Sequence, residues 1–277
     1  MVTSSLAFEV QKRRGPGRPP KRDEPTPTFI GDFAADFFPA LHASFGITFP
    51  SPIYRADPVR FSREILGVDP WAKQIEILER VRDYPRVAIK SGHKVGKSHS
   101  AAQLALWFYC AFEAARVVMT STTSRQVDEI LWRELRMMLA RSGRCVACKA
   151  ELLDNPAARV PRPCPHSSLI DGELGDLART GLKSDDFREI VGFTARQGEA
   201  VAGISGENVL YIVDEASGVP KEIYEAIEGN RAGSARLVLF GNPTQNEGEF
   251  YDAFHSKKDR FYTCVTVSSE ESPNVVH

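Results

Sequence analysis

The stretch RVAIKSGHKVGKS, Arg86 to Ser98, carries the residues best suited to chemistry. A short β-branched run leads into a loop of small residues, and an apolar helix pattern follows Gly96-Lys97-Ser98 at once. Backbone N–H groups of such a loop and the positive end of the following helix converge on one point, where a triphosphate can sit. Lys97 would reach the β- and γ-phosphates, and the Ser98 hydroxyl would hold Mg²⁺. Ser91 stands where the G-x-x-x-x-G-K-[ST] (Walker A) pattern has its first glycine, and Gly92, His93, Lys94 and Val95 complete the loop. A plain strand-turn-helix is the competing reading. A second signal lies downstream: the apolar run VLYIV ends in Asp214-Glu215 (a Walker B pattern). Asp214 would hold Mg²⁺, directly or through water, and Glu215 would orient and deprotonate an attacking water. A third run, RLVLFGNPT, ends at Asn242, whose amide could sense a γ-phosphate. Gly-Asn-Pro is equally strong turn chemistry.

The elements that must position these groups are legible by pattern. Strands are expected at Val87–Lys90, Val117–Ser121, Ile190–Thr194, Val209–Val213 and Leu237–Gly241. Asp69-Pro70-Trp71 opens a helical stretch, WAKQIEILERVRDY, with apolar Ile75, Leu78 and Val81. The run AAQLALWFYCAF reads as the buried helix behind the phosphate loop. Apolar strands separated by helices predict an α/β fold, a P-loop NTPase with a mostly parallel, helix-covered central sheet.

A chain of 277 residues accommodates one large α/β domain with tails or an insertion. Its formal net charge is -1, so any DNA contact must come from local patches. No apolar run approaches the ~20 residues needed to span a bilayer, so no membrane association is expected. No apolar signal core stands at the N-terminus, and five cysteines at uneven spacing argue for a reducing compartment.

Cys145 and Cys148 form a C-x-x-C pair, with Cys164 and His166 further on, in a Pro-rich stretch poor in core formers. The four could close a tetrahedron around structural Zn²⁺, a zinc-knuckle-like insertion; the alternative is a surface loop with incidental thiols. Cys110 and Cys264 lie in apolar runs and read as core. Half of QKRRGPGRPPKR, near the N-terminus, is Lys or Arg. It resembles an AT-hook with Pro16 in place of an arginine, or is a solvated basic tail.

From Asp69 to Ser269 the chain resembles the large terminase subunit of tailed phages and prophages. The resemblance rests on SGHKVGKS, TSTTSRQVDEILWREL, GFTARQGEAVAGISGENVLYIVDEASGVP and GNPT. It implies an ATP-hydrolysing motor of DNA packaging, working on double-stranded DNA in the bacterial host cytoplasm. The partners it implies are a portal ring, a terminase small subunit and further copies of the chain. Lys97 and Ser98 would then bind phosphate and Mg²⁺, Asp214 and Glu215 form the acidic pair, and the segment around Asn242 couple hydrolysis to movement. Gln74 sits where such proteins often place an adenine-reading glutamine, and Arg125 is a weaker candidate for a nucleotide contact. Where many relatives carry a phosphate-loop arginine, this loop offers His93 and Lys94; an arginine from a neighbouring subunit, such as Arg231, could also serve. The domain reading is a disordered basic tail at 1–28, a lead-in at 29–68, and the ATPase domain at 69–269. It places an insertion at about 143–186 and the start of a linker at 270–277. Because no acidic cluster follows the ATPase core, no nuclease activity is expected from these residues. A helicase-like or AAA-type ATPase and a non-catalytic DNA-binding assembly module are the rival readings.

Overall fold

Strand runs such as VLYIV and RLVLFG carry no polar alternation because both of their faces are covered, as parallel sheets require. In the computed structural model they form the middle of an eight-stranded sheet. The structure describes residues 49–142, 146–155, 175–195, 203–231 and 235–273, with the side chains of 147, 148, 152 and 153 left aside. The basic tail and the expected zinc ligands Cys145, Cys164 and His166, with the side chain of Cys148, lie outside the described residues.

Two short helices, α1 (Pro52–Ala56) and α2 (Pro58–Phe61), and a π-helical turn at Ser62–Leu66 come first. This lead-in packs on the core through Tyr54, Phe61, Ile65 and Leu66, all buried, and the Trp107 indole donates to the Tyr54 carbonyl at 2.6 Å. Then come α3 (Ala72–Asp83), β1 (Arg86–Ser91), α4 (Lys97–Ala111) and β2 (Arg116–Ser121). After a second π-helical turn, Gln126–Leu131, follow α5 (Trp132–Arg141) and α6 (Val146–Asp154). The rest is β3 (Asp176–Leu177), β4 (Gly181–Lys183), β5 (Glu189–Thr194), β6 (Val209–Val213), α7 (Lys221–Asn230), β7 (Arg236–Gly241), α8 (Glu249–Phe254) and β8 (Thr263–Val267).

The five expected strands are all present, each within a residue of its expected start. In α3 the residues turned to the core are Leu78 and Val81, with Ile77 beside them, while Ile75 packs at the margin. The strand order is β3-β4-β5-β2-β6-β7-β1-β8. Neighbours from β5 to β8 pair in parallel, and β3 and β4 add an antiparallel hairpin at one end. That hairpin falls inside 143–186, where an insertion was expected. Strand alternation divides the core in two. Val87, Ile89, Val117, Met119, Leu210, Ile212, Val238 and Phe240 meet α3, α4 and α5 on one face. Ala88, Val118, Tyr211, Val213, Leu237 and Leu239 meet α7 and α8 on the other.

Candidate nucleotide-binding site

Because β1, β2, β6 and β7 run parallel, the loops that follow them share one edge of the sheet, where open α/β folds bind ligands. β7 lies between β1 and β6, so Asn242 at its tip stands between the phosphate loop and the acidic pair. Asn242 and Asp214 continue the alternation of Phe240 and Ile212, which turns both toward the face that carries α4.

The loop itself is built as its residue types demand. Gly96 at φ 85° is the left-handed N-cap from which Lys97 and Ser98 enter the first turn of α4. A side chain there would be strained. Lys94 is also left-handed, at φ 60°, Val95 is buried in the core, and Ser91 is buried with its hydroxyl on the Gly92 carbonyl at 3.3 Å. Gln74 lies against the loop: its Nε2 would be 3.2 Å from a Cβ on Gly96, and its Oε1 accepts from the Trp71 N–H at 3.4 Å. Arg125 points away into solvent, paired with Glu129 at 2.9 Å. Arg231, only 11% exposed, is held in its own chain by Glu228 and the Ala235 carbonyl.

The centre of the site is Lys97. Its Nζ donates to the Gly92 carbonyl and to Asn242 Oδ1, both at 2.8 Å. Burial lowers its proton affinity, and the charges of Glu215 and Asp214 oppose that shift. Asn242 Nδ2 stands 3.2 Å and 3.3 Å from the ring nitrogens of His93. Asp214 is 4% exposed. Burial first, then repulsion from Glu215, pushes its carboxyl up to about 6, against the Glu215 N–H and Lys97. A buried carboxylate under this double penalty suits a divalent cation, which would relieve both causes at once, and the Ser98 hydroxyl on α4 belongs to the same edge. Glu215 is left-handed at φ 50°, a conformation a non-glycine residue keeps only where its surroundings hold it. Here its N–H donates to Asp214 Oδ1 at 3.0 Å, the Gly218 N–H to its carbonyl at 2.9 Å, and the Tyr224 hydroxyl to the next carbonyl, Ala216 O, at 2.6 Å.

Three contacts here have no counterpart in the local sequence signals. Ser217 Oγ donates to the Asn242 carbonyl at 2.7 Å and Thr244 Oγ1 donates to Ser217 Oγ at 3.0 Å, tying the acidic loop to the tip of β7. Ser269, after β8, packs so closely on Gly92 that a Cβ there would lie 2.0 Å from its Oγ. A separate cavity of about 360 Å³ lies among Arg86, Tyr224, Glu228, Glu249, Lys257 and Tyr262. Its charges are matched in pairs, Arg86 with Glu228 and Lys257 with Glu249, which leaves no net charge to draw a phosphate.

Fold and edge together make an α/β domain with a mostly parallel central sheet and its candidate site residues gathered at one edge. The chain is similar to the probable terminase large subunit of Enterobacteria phage P7, 28% identical over 233 residues, which cover 80% of this chain and 43% of that protein. The chain thus spans less than half the length of this curated relative. Its fold matches the large terminase of a thermophilic bacteriophage at a TM-score of 0.50 and 14% identity, over 73% of this chain and 46% of the phage chain. The same phage protein solved in complex with ATP-gamma-S matches at the same score, identity and coverage. No protein-family profile matches the chain. Among the described residues no helix is long and apolar enough to cross a membrane.

Proposed function

We propose that this chain hydrolyses ATP with Mg²⁺ as the ATPase part of a motor that moves double-stranded DNA into phage capsids. The observation that carries the hydrolytic reading is the position of Lys97 Nζ. It lies between a phosphate-loop carbonyl and Asn242, within electrostatic reach of Asp214 and Glu215. Phosphate oxygens would replace those two neutral acceptors, since they add the attraction of opposite charges to bonds the ammonium already makes. Lys97 then offsets charge that builds on the phosphate oxygens as the terminal phosphoryl group is transferred. Asp214 and Ser98 would hold Mg²⁺, which when bound neutralises charge on the β- and γ-phosphates. Glu215 takes the proton of the attacking water while the new O–P bond forms and the bond to the ADP oxygen breaks, a contribution of about 10²–10⁴ in rate. Gln74, beside Gly96, would read the base.

The packaging reading draws on the similarity to the phage P7 protein. Its partners would be duplex DNA, a portal ring, a small subunit and further copies of the chain, in the cytoplasm of the host. The zinc reading of Cys145, Cys148, Cys164 and His166 rests on spacing alone; metal analysis of the purified chain should find about one zinc per molecule, and far less ends it.

The test is steady-state phosphate release by the purified chain, with and without duplex DNA, beside Lys97→Ala and Glu215→Ala. Turnover that both substitutions abolish, and that DNA stimulates, supports a DNA-driven motor. Unwinding of duplex DNA would favour a helicase-like enzyme instead. Absence of nucleotide binding would leave a non-catalytic assembly module.

A further inference from the structure

Asn242 bridges two residues of the phosphate loop that its own strand never touches in sequence. Its Oδ1 accepts from Lys97 and its Nδ2 lies against the His93 ring. The orientation of that carboxamide is set by chemistry: an ammonium has only donors, so the oxygen must face Lys97 and the NH₂ must face His93. We infer that His93 is a positioning residue for Asn242, holding the carboxamide with its oxygen toward Lys97. This rests on the proposed ATP-hydrolysing site and assigns a role within it.

The consequence is a link between phosphate arrival and the acidic loop. A phosphate that takes over Lys97 removes the partner of Asn242 Oδ1, while His93 still holds the nitrogen side. Any shift of Asn242 that follows is passed to the tip of β7. That tip is fastened to Ser217, two residues beyond Glu215, through the Asn242 carbonyl. His93 is exposed, so its removal opens no cavity in the core. It reads nucleotide through Asn242 and does not itself need to touch phosphate.

The experiment is a double-mutant cycle on the full chain, with His93→Ala, Asn242→Ala and the pair, reading kcat, KM for ATP and the calorimetric Kd for ADP. His93→Ala should lower kcat about five-fold, in line with the loss of one modest hydrogen bond, and leave KM and the ADP Kd within about two-fold. His93→Gln, whose side-chain oxygen can accept from Asn242 Nδ2, should recover most of the loss. The double variant should be no slower than Asn242→Ala alone, because the two residues act through one another. Weaker ADP binding in His93→Ala, adding independently to the effect of Asn242→Ala, would mean a direct phosphate contact and overturn the inference. A second readout needs no turnover. The imidazole nitrogen resonances of His93 should shift on Asn242→Ala in the nucleotide-free protein, and unchanged resonances would also overturn it. Failure of the site reading is distinguishable: Lys97→Ala would then leave ADP binding intact, while the resonances still decide the role of His93.

Discussion

Asp214 should make the protein less stable at neutral pH than a neutral residue would. An aspartate in an unfolded chain ionises near 3.8, whereas the folded protein holds the Asp214 proton up to about 6. The folded state therefore binds the proton more tightly, and stability falls as pH rises from 3.8 to about 6, then stays level. That difference, at about 1.36 kcal/mol for each pH unit, comes to about 3 kcal/mol at full effect. Asp214→Asn removes the charge but keeps an oxygen for the Glu215 N–H. In EDTA at pH 7.5, the variant should be more stable by up to about 3 kcal/mol, a rise in Tm of roughly 6–12 °C for a domain of this size. At pH 5 the gap should shrink to about half, because the folded carboxyl is already protonated there. The same substitution should abolish phosphate release, since the proposed Mg²⁺ site would lose its anion. Adding ATP-gamma-S and Mg²⁺ should raise the Tm of the unaltered chain more than that of the variant. A variant no more stable at pH 7.5, or a gap equal at both pH values, would refute the reasoning from burial.

Three further outcomes are expected. Gly192→Ala places a Cβ 2.4 Å from the Trp132 indole nitrogen and 2.8 Å from Val127 Cγ1, both on buried residues. Urea denaturation should show a loss of about 1–3 kcal/mol from overpacking. Gly92→Ala meets Ser269 Oγ and should weaken ADP binding in calorimetry, and Ser269→Gly in the same chain should restore most of it. Equal ADP affinity in the single and double variants would show that the loop yields without cost. Gly96→Ala, at φ 85° and with its Cβ tight against Gln74, should lower stability by about 1 kcal/mol or more, read as a lower Tm without nucleotide.

The sequence by itself determined the parts whose cause is local. Five strands were legible because strands buried on both faces are continuous apolar runs, and the strand-loop-helix around Gly96 because the apolar α4 follows directly on β1. The pair Asp214-Glu215 announced itself for the same reason, as acid at the end of VLYIV. Other elements left no local trace. TCVTV of β8 reads as mixed polarity because it is an edge strand, and β3 and β4 are too short to show a period. Asn242 lies 145 residues from Lys97, and only the insertion of β7 between β1 and β6 brings its amide to the ammonium. The His93 contact and the Ser217 tie have the same origin, and Ser269 reaches Gly92 because β8 pairs with β1 on its other side. Strand order depends on which faces pack once crossover helices are in place, a property of the assembled core that no window of neighbouring residues contains.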